Sequence, residues 1–272
     1  MGVGARLTAL VLLAAVLPGA GRAVVELAFL DVGQGDALLV HERGRCAMLV
    51  DAGRLAGGPR IARALAERGI ARLHRVVITH PHLDHAGGLF HLWGRIGIGG
   101  LLDNGGANAA EWVWFDDYRA LRARLPYRAL AAGDGLACGG VRVQVLWPPR
   151  GFAGGVNEAS LVLRLQAEGV AALLAGDAPA SVEARLLGAG AALRAEVLKV
   201  AHHGAGDATT EAFLAAVRPR IALLGVGAGN RFGAPSPAVL ARLRTVGARI
   251  LRTDRDGTIR LELAHGQVRR LP

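Results

Sequence analysis

Apolar and polar positions along this chain fall into short blocks of two different periods. Residues 24–30, 37–40 and 46–50 are aliphatic runs separated by Gly33-Gln34-Gly35 and Arg43-Gly44, which predicts a three-strand meander. Over 59–68 the spacing becomes helical, with Ile61, Leu65 and Ala66 on one face. The run Arg75-Val76-Val77-Ile78-Thr79 returns to strand character, and Ala86-Gly87-Gly88 before a further apolar run predicts the start of a helix. A similar rhythm follows: strands over 141–147, 160–165, 171–175, 196–201 and 221–225, helices over 181–187, 210–217 and 237–245, and closing strands around Asp256-Gly257. Strands flanked by helices on both sides imply an α/β (α+β) chain with two sheets packed face to face between helical layers, a four-layer αββα sandwich. Nothing resembling a linker divides the two halves, so residues 24–272 read as one domain.

With 272 residues, 52% of them hydrophobic, the chain can build a sizeable core, and disorder is excluded. The apolar run over 7–17 follows Arg6 and breaks at Pro18-Gly19, before the small residues Ala20, Gly21 and Ala23. That pattern predicts a signal peptide over 1–23 and a secreted or periplasmic protein. An uncleaved anchor, the alternative, would need about 20 apolar residues. Other apolar runs are short and broken by Arg, Gly or Asp, so no transmembrane channel is expected in this chain. In an oxidising compartment Cys46 and Cys138 could pair; two small buried hydrophobes would read the same way. The net charge of +10 favours anionic partners such as nucleic acid. Lys199 is the sole lysine, however, so the charge reflects an Ala, Gly and Arg bias and selects no partner by itself. Oligomeric state is not legible.

Chemistry concentrates in His80-Pro81-His82-Leu83-Asp84-His85, four potential metal ligands on a strand-to-helix loop. The first two imidazoles can serve one ion while Asp84 and His85 serve a second. Asp177 ends the apolar strand Leu173-Leu174-Ala175-Gly176, where a carboxylate could bridge two cations. His202-His203-Gly204 ends another strand, Val197-Leu198-Lys199-Val200. Adjacent strand residues point to opposite faces, which favours His203 as a ligand and leaves His202 for a supporting contact. Asp51, after Met48-Leu49-Val50, reads either as a carboxylate that orients a metal-bound imidazole or as a plain turn residue.

These stretches, with Leu30-Asp31-Val32-Gly33-Gln34-Gly35-Asp36-Ala37, Val50-Asp51-Ala52-Gly53, Asn157-Glu158-Ala159-Ser160, the Lys199-Val200-Ala201-His202-His203-Gly204 strand and Arg252-Thr253-Asp254-Arg255-Asp256-Gly257-Thr258, resemble the metallo-β-lactamase-fold hydrolase domain of ComEC-type DNA-uptake proteins. The resemblance runs from about Val24 to Leu263. It implies the αββα fold, two divalent metal ions (zinc or manganese) and hydrolysis of phosphodiester bonds in DNA. It carries over His80, His82, Asp84, His85, Asp177 and one of His202 and His203 as ligands, with Asp84 and Asp177 central to catalysis. Asp31, Gln34 and Asp36 would form the pocket floor.

Three departures stand out. Asn157 occupies the place of a third histidine on the first metal and offers only a neutral amide oxygen, which favours a harder ion such as manganese. Ala234-Pro235 replaces a His-Pro pair, and the membrane helices that accompany this domain in competence proteins are missing from this chain. Two ions about 3.5–4 Å apart would lower the pKa of a water held between them for in-line attack on phosphorus. Lys199, Asn157 or Asn230 could contact phosphoryl oxygens, although Lys199 reads equally well as an exposed strand residue. Trp112, Val113, Trp114, Phe115 and Tyr118 either stack bases at the mouth of the site or pack a helix on the sheets. Competing readings are a metallo-hydrolase acting on a choline phosphoester, a lactone or a β-lactam, and a catalytically inactive binding module.

Overall fold

The computed structural model describes residues 24–106 and 114–272. The expected leader over 1–23 and the residues Trp112 and Val113 lie outside them. The chain forms β1 (Val25–Phe29), β2 (Leu38–Glu42), β3 (Cys46–Val50), α1 (Gly58–Glu67), β4 (Arg72–Leu73), β5 (Arg75–Val77), α2 (Leu83–Ala86), α3 (Gly88–Leu92), β6 (Gly97–Ile98) and β7 (Leu101–Asp103). After the undescribed residues come α4 (Phe115–Arg122), β8 (Tyr127–Ala129), β9 (Gly135–Cys138), β10 (Val141–Trp147), β11 (Val162–Ala167), β12 (Val170–Leu174), α5 (Ala180–Gly188) and β13 (Val197–Lys199). The remainder is α6 (Glu211–Val217), β14 (Ile221–Leu224), α7 (Pro237–Thr245), β15 (Arg249–Arg252), α8 (Thr253–Asp256), β16 (Ile259–Ala264) and β17 (Gln267–Arg270).

Two sheets result. The first has the order β17-β16-β1-β2-β3-β5-β7-β8 and the second β15-β14-β13-β12-β11-β10-β9; β4 and β6 make a small separate pair. The last strands return to the first sheet, where β16 pairs antiparallel with β1. In β3 every residue is buried because both faces are covered. Cys46, Met48 and Val50 join Phe29, Leu163 and Val197 between the sheets, while Ala47 and Leu49 face a second cluster with Ile61 and Leu65 of α1 and Phe115 and Tyr118 of α4. A third cluster packs Val182 of α5, Phe213 of α6 and Leu243 of α7 on the outer face of the second sheet. The four layers expected from the alternation are therefore present.

Cys46 and Cys138 are bonded across 92 residues of sequence. The bond joins β3 of the first sheet to β9 of the second. Beside it the buried Glu42 carboxylate accepts the Gly140 backbone N–H at 2.6 Å, so a hydrogen bond and a covalent link tie the same two hairpins.

Of the aromatic segment, Phe115 and Tyr118 pack rather than present a face. Phe115 and Tyr118 are buried, and Tyr118 donates its hydroxyl to the buried Asp103 carboxylate at 2.9 Å. Tyr127 and Arg122 donate to the same carboxylate, which anchors α4 on the first sheet. A base-stacking role for Phe115 and Tyr118 is excluded by that burial.

Candidate metal centre

At one rim of the sandwich, loops leaving strands of both sheets converge. The loop after β1 is sewn to the loops after β3 and β5: Asp36 N donates to the Asp84 carbonyl at 3.1 Å, Gly53 N to the Asp36 carbonyl at 2.7 Å and Ala52 N to the His85 carbonyl at 2.6 Å. Gly35 makes this approach possible. Its φ of +132° and its contact with the Asp84 carbonyl leave no room for a Cβ. The metal loop also enters its helix earlier than expected. α2 begins at Leu83, which places Asp84 and His85 in its first turn and leaves His80 and His82 on the extended segment before it.

The two groups of ligands share one carboxylate. His80, His82 and Asp177 form one set, and Asp36, His85, Asp177 and His203 form another; within each set the nitrogen and oxygen atoms lie within 4.8 Å of one another. Asp177 Oδ2 is 3.8 Å from His80 Nε2 and 3.7 Å from His203 Nε2, while its Oδ1 is 3.3 Å from His85 Nε2. Asp84 closes the second set, with Oδ2 3.5 Å from His203 Nε2. His80 Nε2 and His82 Nδ1 face each other at 2.8 Å. Asp177 is positioned from the second sheet: it ends the turn after β12, and its backbone N–H donates to Ser160 Oγ at 3.2 Å.

One carboxylate sets the ring orientation of two histidines. Asp51, with φ +58°, accepts from Thr79 N at 2.7 Å and from Thr79 Oγ1 at 2.9 Å, and its Oδ2 is 2.8 Å from His85 Nδ1. Since the Thr79 hydroxyl proton goes to Asp51, Thr79 Oγ1 accepts from His80 Nδ1 at 3.1 Å. Both rings are thus held through Nδ1 with Nε2 on the side of Asp177, the orientation in which a bound cation would displace any Nε2 proton and meet the lone pair. Asp36 faces His203 as a charge partner, with Oδ1 3.4 Å from its Nδ1.

Burial and clustered charge shift the titrating groups in opposite directions. Burial, then the charge of His85, holds His80 well below the ordinary imidazole value. Burial opposes protonation of His85 and His203 too, but Asp177 with Asp51 raises His85 well above that value, and Asp177 with Asp36 raises His203 to about 9. The Asp177 carboxyl is held well below the usual range by His85 and His203 against its own burial. His85 Nε2, Asp177 Oδ1, His203 Nε2 and Asn157 Oδ1 are buried without a hydrogen-bond partner. Such atoms cost about 1–3 kcal/mol each when left unpaired. Divalent cations satisfy imidazole lone pairs and carboxylate oxygens in this arrangement, so the residues present fit two metal ions.

Other expected residues lie elsewhere or act differently. Asp31 is not in the pocket floor: its side chain accepts from Gly33 N and pairs with Arg60 at 3.1 Å, on the α1 side of the loop. Lys199 is neither exposed nor free for substrate. It is buried in the middle of the second sheet, ion-paired with Asp36 and donating to the Gly176 carbonyl at 2.8 Å. Asn230 is a loop staple, donating to the Gly227 and Ala234 carbonyls and accepting from Phe232 and Ala234 N–H. Gln34 accepts from Gly227 N at 3.1 Å and holds that loop to the metal rim.

His202 and His203 do not sit on an alternating strand. β13 ends at Lys199, and both histidines have positive φ, 49° and 53°, in a tight turn. The turn buries His203 in the ligand cluster and leaves His202 half-buried, 3.1 Å from Asp207 and 3.4 Å from Asn157 Nδ2. His202 thus stands beside the position expected to lack a third histidine, and among the described residues it belongs to neither ligand set.

A pocket of about 260 Å³ opens over the cluster, lined by Gln34, Arg54, His82, Asp84, Asp177, His202, His203, Ala205, Phe232 and Ala234. Arg54, Thr79, Asp207 and Phe232 had no place in the reading of the sequence. Thr79 directly precedes the histidine motif, Arg54 follows Asp51-Ala52-Gly53, and Asp207 comes five residues after His202. Only that adjacency could have flagged them.

Comparison with known proteins agrees with this geometry. The profile of the metallo-beta-lactamase superfamily matches residues 30–227. Competence protein ComA of Neisseria gonorrhoeae is 32% identical over 98% of this chain, and ComE operon protein 3 of Bacillus subtilis is 29% identical over 86% of it. The chain spans 37% and 32% of the length of these two relatives. Among solved structures, the metallo-beta-lactamase fold protein YhfI from Bacillus subtilis matches 89% of the chain and all of its own length with a TM-score of 0.59 at 13% identity.

Proposed function

Because this chain belongs to the metallo-β-lactamase superfamily and carries its metal-dependent hydrolase fold, we propose that it is an exported phosphodiesterase that hydrolyses DNA strands. The observation that carries the reading is the position of Asp177, one carboxylate shared between two buried ligand sets. Two bound divalent ions would supply an activated water and positive charge for the phosphoryl oxygens. His80, His82 and Asp177 would hold the first, and Asp84, His85, His203 and Asp177 the second. Asp51 and Thr79 engage the Nδ1 atoms of His80 and His85, which directs both Nε2 atoms to that task.

Among the described residues Arg54 is the only Arg or Lys lining the pocket, and its guanidinium would take two non-bridging phosphate oxygens bidentately. His202, held by Asp207, would steady the substrate on the side of Asn157. The similarity to two competence proteins supports DNA as the substrate. The Cys46–Cys138 bond supports an oxidising location, as export would provide. Among the described residues no helix is long and apolar enough to cross a membrane.

The test is a hydrolysis assay of the purified chain loaded with zinc or with manganese, against single-stranded DNA, bis-p-nitrophenyl phosphate, a phosphocholine ester, a lactone and a β-lactam. DNA cleavage that is lost in Asp84→Ala and Asp177→Ala is expected. Turnover of the carboxylic esters or the lactam alone would replace the phosphodiesterase reading with another hydrolase activity. Tight metal binding with no turnover of any substrate would leave a binding module.

A further inference from the structure

Phe232 is an anomaly at the mouth of the metal pocket. The residue is 57% exposed although burial of a phenylalanine side chain stabilises a protein by roughly 1.5–3 kcal/mol. The loop that carries it is built, not loose. Asn230 Oδ1 accepts from Phe232 N at 3.2 Å and from Ala234 N at 3.1 Å, while Asn230 Nδ2 donates to the Gly227 and Ala234 carbonyls. The base of the loop is fixed to the metal rim through Gly227 N and Gln34. The fold therefore holds an aromatic face in solvent beside the ligands.

Two further features share that rim. The Arg231 guanidinium is 5.3 Å from the Phe232 ring centre, and Arg54 lines the same pocket. Of the other large exposed hydrophobic residues, Leu55 and Leu83 adjoin the pocket residues Arg54, His82 and Asp84 in sequence. Apolar side chains and guanidinium groups thus both occur beside a pocket whose floor is the candidate ligand cluster. A phosphate alone would use the arginines and leave the ring idle. A flexible chain that repeats a phosphate and a planar ring uses both, because each base offers a π-face and each linkage a charge.

Resting on the phosphodiesterase reading, we propose that Phe232 is a stacking platform for a base adjoining the scissile phosphate, which makes single-stranded nucleic acid the substrate class of this pocket. Arg54 and Arg231 would hold the phosphates on the two sides of that base. In duplex DNA the base face is covered by its neighbours, so a platform of this kind selects unpaired strands.

The experiment measures binding to the metal-loaded chain by fluorescence anisotropy. The probes are a labelled phosphorothioate oligothymidylate, which resists cleavage, and an abasic strand with the same number of linkages. Wild type is expected to prefer the base-bearing strand by about tenfold or more. Phe232→Ala should abolish the preference, and Phe232→Trp should keep it. As the ring is mainly in solvent, neither variant should shift the melting temperature. Equal binding of the two strands by wild type, an unchanged preference in Phe232→Ala, or no binding of either strand would overturn the platform. Cleavage of ordinary DNA is scored separately. A wild-type enzyme that cuts DNA yet ignores the missing bases would keep its nuclease activity and lose the platform.

Discussion

Asp51 Oδ2 lies 2.8 Å from His85 Nδ1, and the same carboxylate governs His80 through the Thr79 hydroxyl. A residue that belongs to neither ligand set thereby sets the orientation of one histidine in each.

Asp51→Asn should lower divalent metal affinity by about 10- to 100-fold, since the amide places its donor group where an acceptor is needed. Thr79→Val should weaken mainly the His80 set. Competition against a chromophoric chelator would measure both. A wild-type affinity in Asp51→Asn would show that His85 orients itself without this carboxylate.

The metal-free chain should lose stability as pH rises. His203 titrates at about 9 in the folded chain, raised by Asp177 and Asp36 against its burial, and an unfolded histidine titrates at about 6.5. Its folded pKa exceeds the unfolded one, so the stabilisation is fully present below about 6.5 and disappears as pH climbs through about 9. His85 is shifted in the same direction. Metal loading removes those protons, so the loaded protein should lack this decline and metal affinity should increase over the same interval. Melting temperatures from pH 6 to 10, with and without chelator, give the comparison; identical pH profiles for the two forms would contradict it.

Reduction of Cys46–Cys138 should destabilise the protein by about 4–5 kcal/mol on the chain-entropy estimate for a loop of this length. The bond closes 92 residues and crosses from one sheet to the other. Urea unfolding of wild type and of a Cys46→Ser, Cys138→Ser double variant would show it as a lowered midpoint. Equal midpoints would mean that the apolar core alone fixes how the sheets face each other.

What the sequence revealed and what it concealed divide along physical lines. Period-two runs and helical spacing located β1, β3, β10, α1, α5 and α7 to within about two residues because those elements bury one or both faces in a regular way. The ligand motif was legible because His80, His82, Asp84 and His85 are contiguous. Asp31 and Asp36 were read alike from a single motif, yet the positive φ values of Gly33 and Gly35 reverse the chain between them and send only Asp36 into the cluster. The burial of Lys199 is not legible in the sequence, because its partner, Asp36, is distant along the chain and no periodicity reports such a pair. Strand alternation does not extend to the His202-His203 step, because β13 ends at Lys199 and both histidines lie in a left-handed turn. Phe232 and Arg54 gained meaning only when the pocket brought their loops together.

β3 has Cys46 at its first position and runs directly into Asp51 at its other end. The sandwich is thus fastened at opposite rims, by sulfur at one and by ligands drawn from both sheets at the other. The two fastenings share no residue, so oxidation and metal loading would be separable steps in the maturation of a newly made chain. Oxidation without metal would yield a hinged but closed shell, and metal without oxidation a shell secured only at its working edge. Resistance to proteolysis should therefore reach its full value only after both have been passed.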